Sequence, residues 1–264
     1  MLVAYRVPVA NSLLVALPRK DYQLLLTRLE PITLTFGEEP YRPGEPIRHV
    51  YFPTDSLVTL LTLAEGHQAL EVGLVGHEGM LGIPLALGVS DSPVRAMVQG
   101  SGMALRMTSA HFRNEFQQSV RLQEEVYRYT YELMVQLTQT AACNHFHRVE
   151  ARLARWLLMT RDRVQSNQFH LTQDLLANML GVRQVGVTKA AGALRQRKLT
   201  VTTVAKSAFS TGMVSKQPLA SVIRSSRTCT TLRELSGRRE RRHVLLADHI
   251  FYKKGPERDC RNRA

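Results

Sequence analysis

Four side chains that can read or grip a nucleic acid, Arg183, Gln184, Thr188 and Lys189, fall within the segment HLTQDLLANMLGVRQVGVTKAAGALRQRKL, residues 170–199. Arg and Gln have the geometry that matches guanine and adenine edges, while Lys and Thr suit phosphate oxygens. Thr172 and Gln173, just ahead of the apolar run Leu175–Leu180, complete this set of DNA-contact candidates. Metal chemistry has less to work with. Cys143 and His147 stand at i and i+4, a spacing that can put two ligands on one helical face. Two ligands make no site, and a buried free cysteine explains Cys143 as well. Cys143, Cys229 and Cys260 are too widely spaced for a disulfide framework or a CxxC-type site. No nucleophile–base pairing, metal spacing or phosphate loop argues for an enzyme, and the residues name no cofactor.

The candidate residues need helices to hold them, and the local pattern supplies two. Thr172 is a candidate N-cap, with Asp174 placed to complement the helix dipole. Leu175, Leu176, Met179 and Leu180 form one apolar face, and Gly181 follows where a helix can end in a left-handed residue. A second helix starts near Arg183 and turns Val187, Ala190, Ala191 and Leu194 inward. A short helix, a glycine turn and a second helix with a polar first turn predict a helix-turn-helix. An ordinary helical hairpin in a core is the plainer alternative.

Upstream, Leu122, Val126, Tyr129, Leu133 and Leu137 recur at spacings of three and four, and Tyr127, Tyr131 and Met134 widen the stripe. Periodicity leaves open whether this helix packs on its own domain or forms a dimer seam. Residues 146–165 predict another amphipathic helix. Between Ile32 and Met107 the period changes to short β-rich runs: Ile32–Phe36, His49–Phe52, Leu57–Leu63, Ala69–Leu74, Arg95–Gln99 and Met103–Met107. Glycine and proline turns separate them, which describes a β-sandwich or barrel.

The chain has 264 residues and a formal net charge of +13. That charge is unevenly spread. Residues 1–169 carry 16 basic and 16 acidic side chains, residues 170–199 carry five basic against one acidic, and residues 200–264 carry 14 against five. The high pI therefore belongs mainly to the tail and says little about the body. No stretch reaches the ~18 uninterrupted apolar residues that a membrane helix needs, and no signal-peptide pattern opens the chain, so a cytoplasmic protein is expected.

Four segments, YRPGEPIRHVYFP (41–53), VGHEGMLGIPLALG (75–88), ACNHFHRVEARLARWLL (142–158) and LTQDLLANMLGVRQVGVTKAAGAL (171–194), together resemble the Crp/Fnr superfamily of bacterial transcription regulators. The resemblance implies an α+β chain. Residues 1–118 would be a cyclic-nucleotide-binding-like β-roll, 119–145 a dimerisation helix and 146–199 a helix-turn-helix domain. It implies a homodimer joined through Leu122, Val126, Tyr129, Leu133 and Leu137. Double-stranded DNA and RNA polymerase would be its partners, with an unidentified small-molecule effector. The phosphate-cradling segment of nucleotide-binding members is matched here by Gly76, Glu78 and Gly79 followed by Arg95. Glu78 would hold a ribose hydroxyl and Arg95 a phosphate, although Ala96 stands where the family has a hydroxyl residue.

From about Leu199 the resemblance stops abruptly. The tail, residues 200–264, is expected to be out of frame, largely disordered and without the family's wing, which would impair DNA binding. The genetic code permits an alternative frame from Gly212 to Ile223 that reads Asp-Gly-Leu-Glu-Ala-Ala-Ser-Cys-Glu-Cys-Tyr, with the Gly forced by Met213-Val214. This resembles the segment after the helix-turn-helix in family members. A divergent basic tail that adds nonspecific DNA affinity is the alternative.

Overall fold

A computed structural model describes residues 10–62, 69–164, 168–171, 173–197, 200–205 and 208–213. Two short helices open it, α1 (Ser12–Val15) and α2 (Arg19–Leu26), followed by β1 (Glu30–Leu34), β2 (His49–Pro53), β3 (Leu57–Thr62) and β4 (Leu70–Val75). A one-turn helix, α3 (Ile83–Ala86), precedes β5 (Arg95–Gly100) and β6 (Gly102–Thr108). Then come α4 (Ser109–Gln118), α5 (Val120–Phe146), α6 (Val149–Val164), β7 (Gln168–Leu171), α7 (Gln173–Leu180) and α8 (Gln184–Gln196). The strands β8 (Thr200–Ala205) and β9 (Ala208–Met213) complete the order. Each of the six β-rich runs expected from sequence overlaps a strand. No helix of the described residues is long and apolar enough to cross a membrane.

Two antiparallel sheets, in the orders β1-β6-β2 and β4-β3-β5, share one core. Leu34, Val50, Phe52, Ala104 and Met107 enter it from the first sheet, and Val58, Leu60, Val75, Ala96 and Val98 from the second. An antiparallel sheet commonly leaves one face to water. Here β3 is buried on both faces, because Leu57 and Leu74 join a second core made by α6, α7 and α8. The β-roll and the C-terminal helices therefore share a packed seam.

Ser119 breaks the chain between α4 and α5. Its backbone is extended (φ −108°, ψ 103°), and its hydroxyl caps α5 by accepting from the Leu122 N–H at 3.2 Å. The stripe expected to join two protomers mostly does something else. Leu122, Val126 and Tyr129 are buried in the β-roll core of their own chain, and Leu133 packs half-buried against it. Leu137 approaches Gly73 on β4. The periodicity is that of a helix docked on its own domain, because one apolar stripe looks alike whichever partner covers it. Gly79 shows how close that docking is: a Cβ there would run into the Tyr129 ring.

A third sheet has the order β7-β9-β8. Strands β8 and β9 pair antiparallel, and β9 also pairs with β7. Thr200, Val201, Thr202, Thr203 and Val204 give the physical reason, since β-branched residues favour strands even without an alternating period. The expectation of disorder for residues 214–264 lies outside the described residues, as does the Leu199 boundary itself.

Candidate nucleic-acid interface

The helix-turn-helix is built from the inside out. Leu176, Ala177, Met179 and Leu180 of α7 and Val187, Ala190, Ala191 and Leu194 of α8 are buried together with Leu153, Trp156 and Leu157 of α6. The turn between the helices rests on Gly181, whose φ of +59° is costly for residues with a Cβ. The Gly181 N–H donates to the Asn178 carbonyl at 3.1 Å and the Val182 N–H to the Ala177 carbonyl at 3.0 Å, closing the end of α7. Arg152 of α6 donates to the Leu180 carbonyl as well.

This packing leaves the opposite side of α8 in solvent. Arg183 is the N-cap residue, with extended backbone (φ −71°, ψ 149°) and no side-chain capping bond. Its side chain and those of Gln184, Thr188 and Lys189 are exposed, as contact with DNA requires. Gln184 donates to the Asp174 carboxylate of α7, and the single hydroxyl proton of Thr188 is shared between Gln173 Oε1 at 3.3 Å and the Gln184 carbonyl at 3.1 Å. Gln173, Gln184 and Thr188 are thus brought into one network across the two helices. Thr172 lies outside the described residues.

Two features are missed by sequence reasoning. Asp174 fits the helix dipole by its position, yet it also orients Gln184. Val185, 64% exposed in the first turn of α8, presents an apolar side chain of the kind that contacts a thymine methyl. Its signal is its phase: Val187, Ala190 and Leu194 define the buried face, and Val185 falls outside it.

The two residues expected to hold an effector are each engaged within the chain. Arg95 on β5 is ion-paired with Glu39, and although desolvation pushes the Glu39 carboxyl up, Arg95 and Arg42 hold it below its usual range. Glu78, in the turn after β4, accepts from Arg163 Nε at 2.7 Å and from the Gly76 N–H at 3.2 Å. Each group is engaged by a different part of the chain. The Cys143–His147 pair is not on one helical face either. Cys143 is buried in α5, but His147 has already left the helix (φ −103°, ψ 142°).

Comparison with known proteins agrees with this geometry. Residues 151–206 match the Crp-like helix-turn-helix domain. The fold is similar to that of the c-di-GMP-responsive global regulator CLP of Xanthomonas campestris, with TM-score 0.61 and 15% identity over 75% of this chain and 100% of that one. FixK2 of Bradyrhizobium japonicum gives TM-score 0.63 and 13% identity over 77% and 99%. The CRP/FNR-family regulator TTHA1359 of Thermus thermophilus gives 0.58 and 17% over 75% and 100%. No curated protein matches the chain in sequence. The match extends through residue 206 and takes in β8. Residues 151–206 thus match a Crp-like helix-turn-helix domain, and the chain has a fold similar to that of these regulators.

Proposed function

We propose that the chain regulates transcription as a homodimer that sets two copies of α8 in successive major grooves of a two-fold DNA site. The observation that carries this reading is the exposed first turn of α8, where Arg183, Gln184, Val185, Thr188 and Lys189 surround a buried, small-residue inner face. Arg183 and Gln184 read base edges, and Lys189 grips phosphate. Two-fold symmetry puts the recognition helices about 34 Å apart, one turn of DNA.

The dimer seam is the free side of α5 rather than the stripe of Leu122, Val126 and Tyr129. Tyr127, Tyr131 and Met134 are 50%, 55% and 60% exposed and show the four-then-three spacing of a coiled-coil seam. Apolar groups of this size, aligned on a long helix, favour a second apolar surface. RNA polymerase and a small-molecule effector belong to the same reading as partners. An effector held by Glu78 and Arg95 would have to displace Arg163 and Glu39.

A gel-shift titration against genomic fragments at two salt concentrations tests the proposal. Preference for particular fragments, with affinity falling steeply as salt rises, supports it. Binding that is absent, or indifferent to sequence, would instead assign the chain to effector sensing or protein interaction with a degenerate DNA-binding domain.

A further inference from the structure

Asp174 stands in the first turn of α7, and Gln184 is the first residue of α8. Both side chains are exposed and meet at the open edge of the helix pair, where Gln184 Nε2 donates to Asp174 Oδ1. The contact adds little to the fold. The two helices already pack through Leu176, Leu180, Val187 and Leu194, and an exposed hydrogen bond replaces water at small net gain. A carboxylate beside a surface that meets DNA also repels phosphates. What it does supply is orientation. An ionised carboxylate only accepts hydrogen bonds, whereas an amide has an accepting oxygen and a donating NH2 group. Gln184 must therefore turn its NH2 group to Asp174, and its amide cannot flip while the pair holds. The backbone is tied at the same place, since the Gln184 carbonyl accepts from the Thr188 hydroxyl at 3.1 Å.

We propose that Asp174 is a positioning residue that makes Gln184 select adenine and reject guanine. The proposal rests on the DNA-binding reading above and deepens it by naming the base that one side chain selects. With one N–H engaged by Asp174, the Gln184 amide keeps one N–H and Oε1 for the major groove. Adenine presents an acceptor there, N7, beside a donor, the N6 amino group, and so takes both. Guanine presents two acceptors, N7 and O6, and one of them would face Oε1 with no proton between them.

An unrestrained glutamine escapes this clash by turning its NH2 group to the guanine. Asp174 closes that route, because a flipped amide would set Oε1 against the carboxylate. Thymine offers only the O4 acceptor and cytosine only the N4 donor, so each satisfies half of the amide. The selection thus works as much through bonds the wrong base leaves unmade as through those the right base makes. The same carboxylate weakens attraction to every DNA, so it gives up some affinity for specificity. Loss of its charge should therefore make binding tighter and less selective, a combination that a residue needed only for folding would not produce.

The test is a gel-shift scan with the full-length protein on synthetic duplexes of the fragment that the wild type selects. Each adenine of a half-site is replaced in turn by guanine, with its partner changed to cytosine, and by 7-deazaadenine, which lacks the N7 acceptor. The wild type should show an adenine in each half-site at which both replacements weaken binding, guanine by about ten- to a hundredfold. Gln184→Ala should lose the preference there and keep it elsewhere, which assigns that adenine to Gln184. Asp174→Asn keeps the size of the side chain but can also donate, so the Gln184 amide is free to flip. Its preference for adenine over guanine at that position should fall to about threefold or less, with the selected fragment bound at least as tightly as by the wild type. Asp174→Ala, which removes the partner outright, should lose the preference too, and far-UV circular dichroism checks the fold of each variant. Selective binding whose adenine preference is unchanged in Asp174→Asn, or weakened at every position alike, would overturn the inference and leave the DNA-binding reading standing. Absence of selective binding by the wild type would overturn both.

Discussion

Arg183 and Lys189 both carry positive charge on the free side of α8, yet their loss should read differently. Arg183→Ala should cost about 1–3 kcal/mol at one base pair and relax the sequence preference there, whereas Lys189→Ala should weaken all sites alike and lower the salt slope by about one. Competition between cognate and random DNA separates the two, and an equal loss on both DNAs for each variant would reject the division of roles. The backbone supports the register behind it, since Arg183 is the N-cap and Gln184 the first helical residue. A different substitution tests the helix itself. Gly192 has a negative φ and open space where a Cβ would sit, so Gly192→Ala should raise stability by about 0.5–1 kcal/mol. Thermal unfolding measures it, and a fall in Tm would show that α8 is packed more tightly there than the structure has it. Gly79→Ala should do the reverse, because the added methyl would run into Tyr129.

At the scale of elements, α5 has two apolar sides with different occupants. Leu133→Glu should damage the fold, because Leu133 packs against the β-roll core. Tyr131→Glu, on the exposed side, should leave the fold intact and shift the protein from dimer to monomer. Sedimentation with circular dichroism decides between them, and an undisturbed Tyr131→Glu dimer would rule out this seam. The contrast also shows what the sequence could convey. Glycine and proline turns bounded the six runs of the β-roll closely, and the alternation of buried and exposed residues in α8 was visible in Val187, Ala190 and Leu194. Which side of α5 faces its own domain was not visible, since Leu122 and Tyr131 differ in phase but hardly in character. The Glu78–Arg163 pair was equally hidden, because partners 85 residues apart leave no local period. The strand β8 left no period to read, because a run such as Thr200–Val204 carries propensity without alternation.

For the whole molecule, the net charge of +13 is less informative than its distribution, with 14 basic and five acidic residues beyond position 199. If that charge is an accident of reading frame, the gene around the Leu199 codon should stay open in the alternative frame and read through Asp-Gly-Leu-Glu-Ala-Ala-Ser-Cys-Glu-Cys-Tyr. Sequencing that region checks it, and an early stop in that frame would leave the basic tail as native sequence. The body of the molecule carries the central claim, which is that two copies of α8 enter successive major grooves. Methylation interference, which blocks guanine N7 in the major groove, tests it most directly on a fragment selected by the protein. The account predicts two symmetric blocks of interference whose centres lie about 10–10.5 base pairs apart, both lost in the Tyr131→Glu monomer. A single block, or binding that no methylated guanine disturbs, would contradict it.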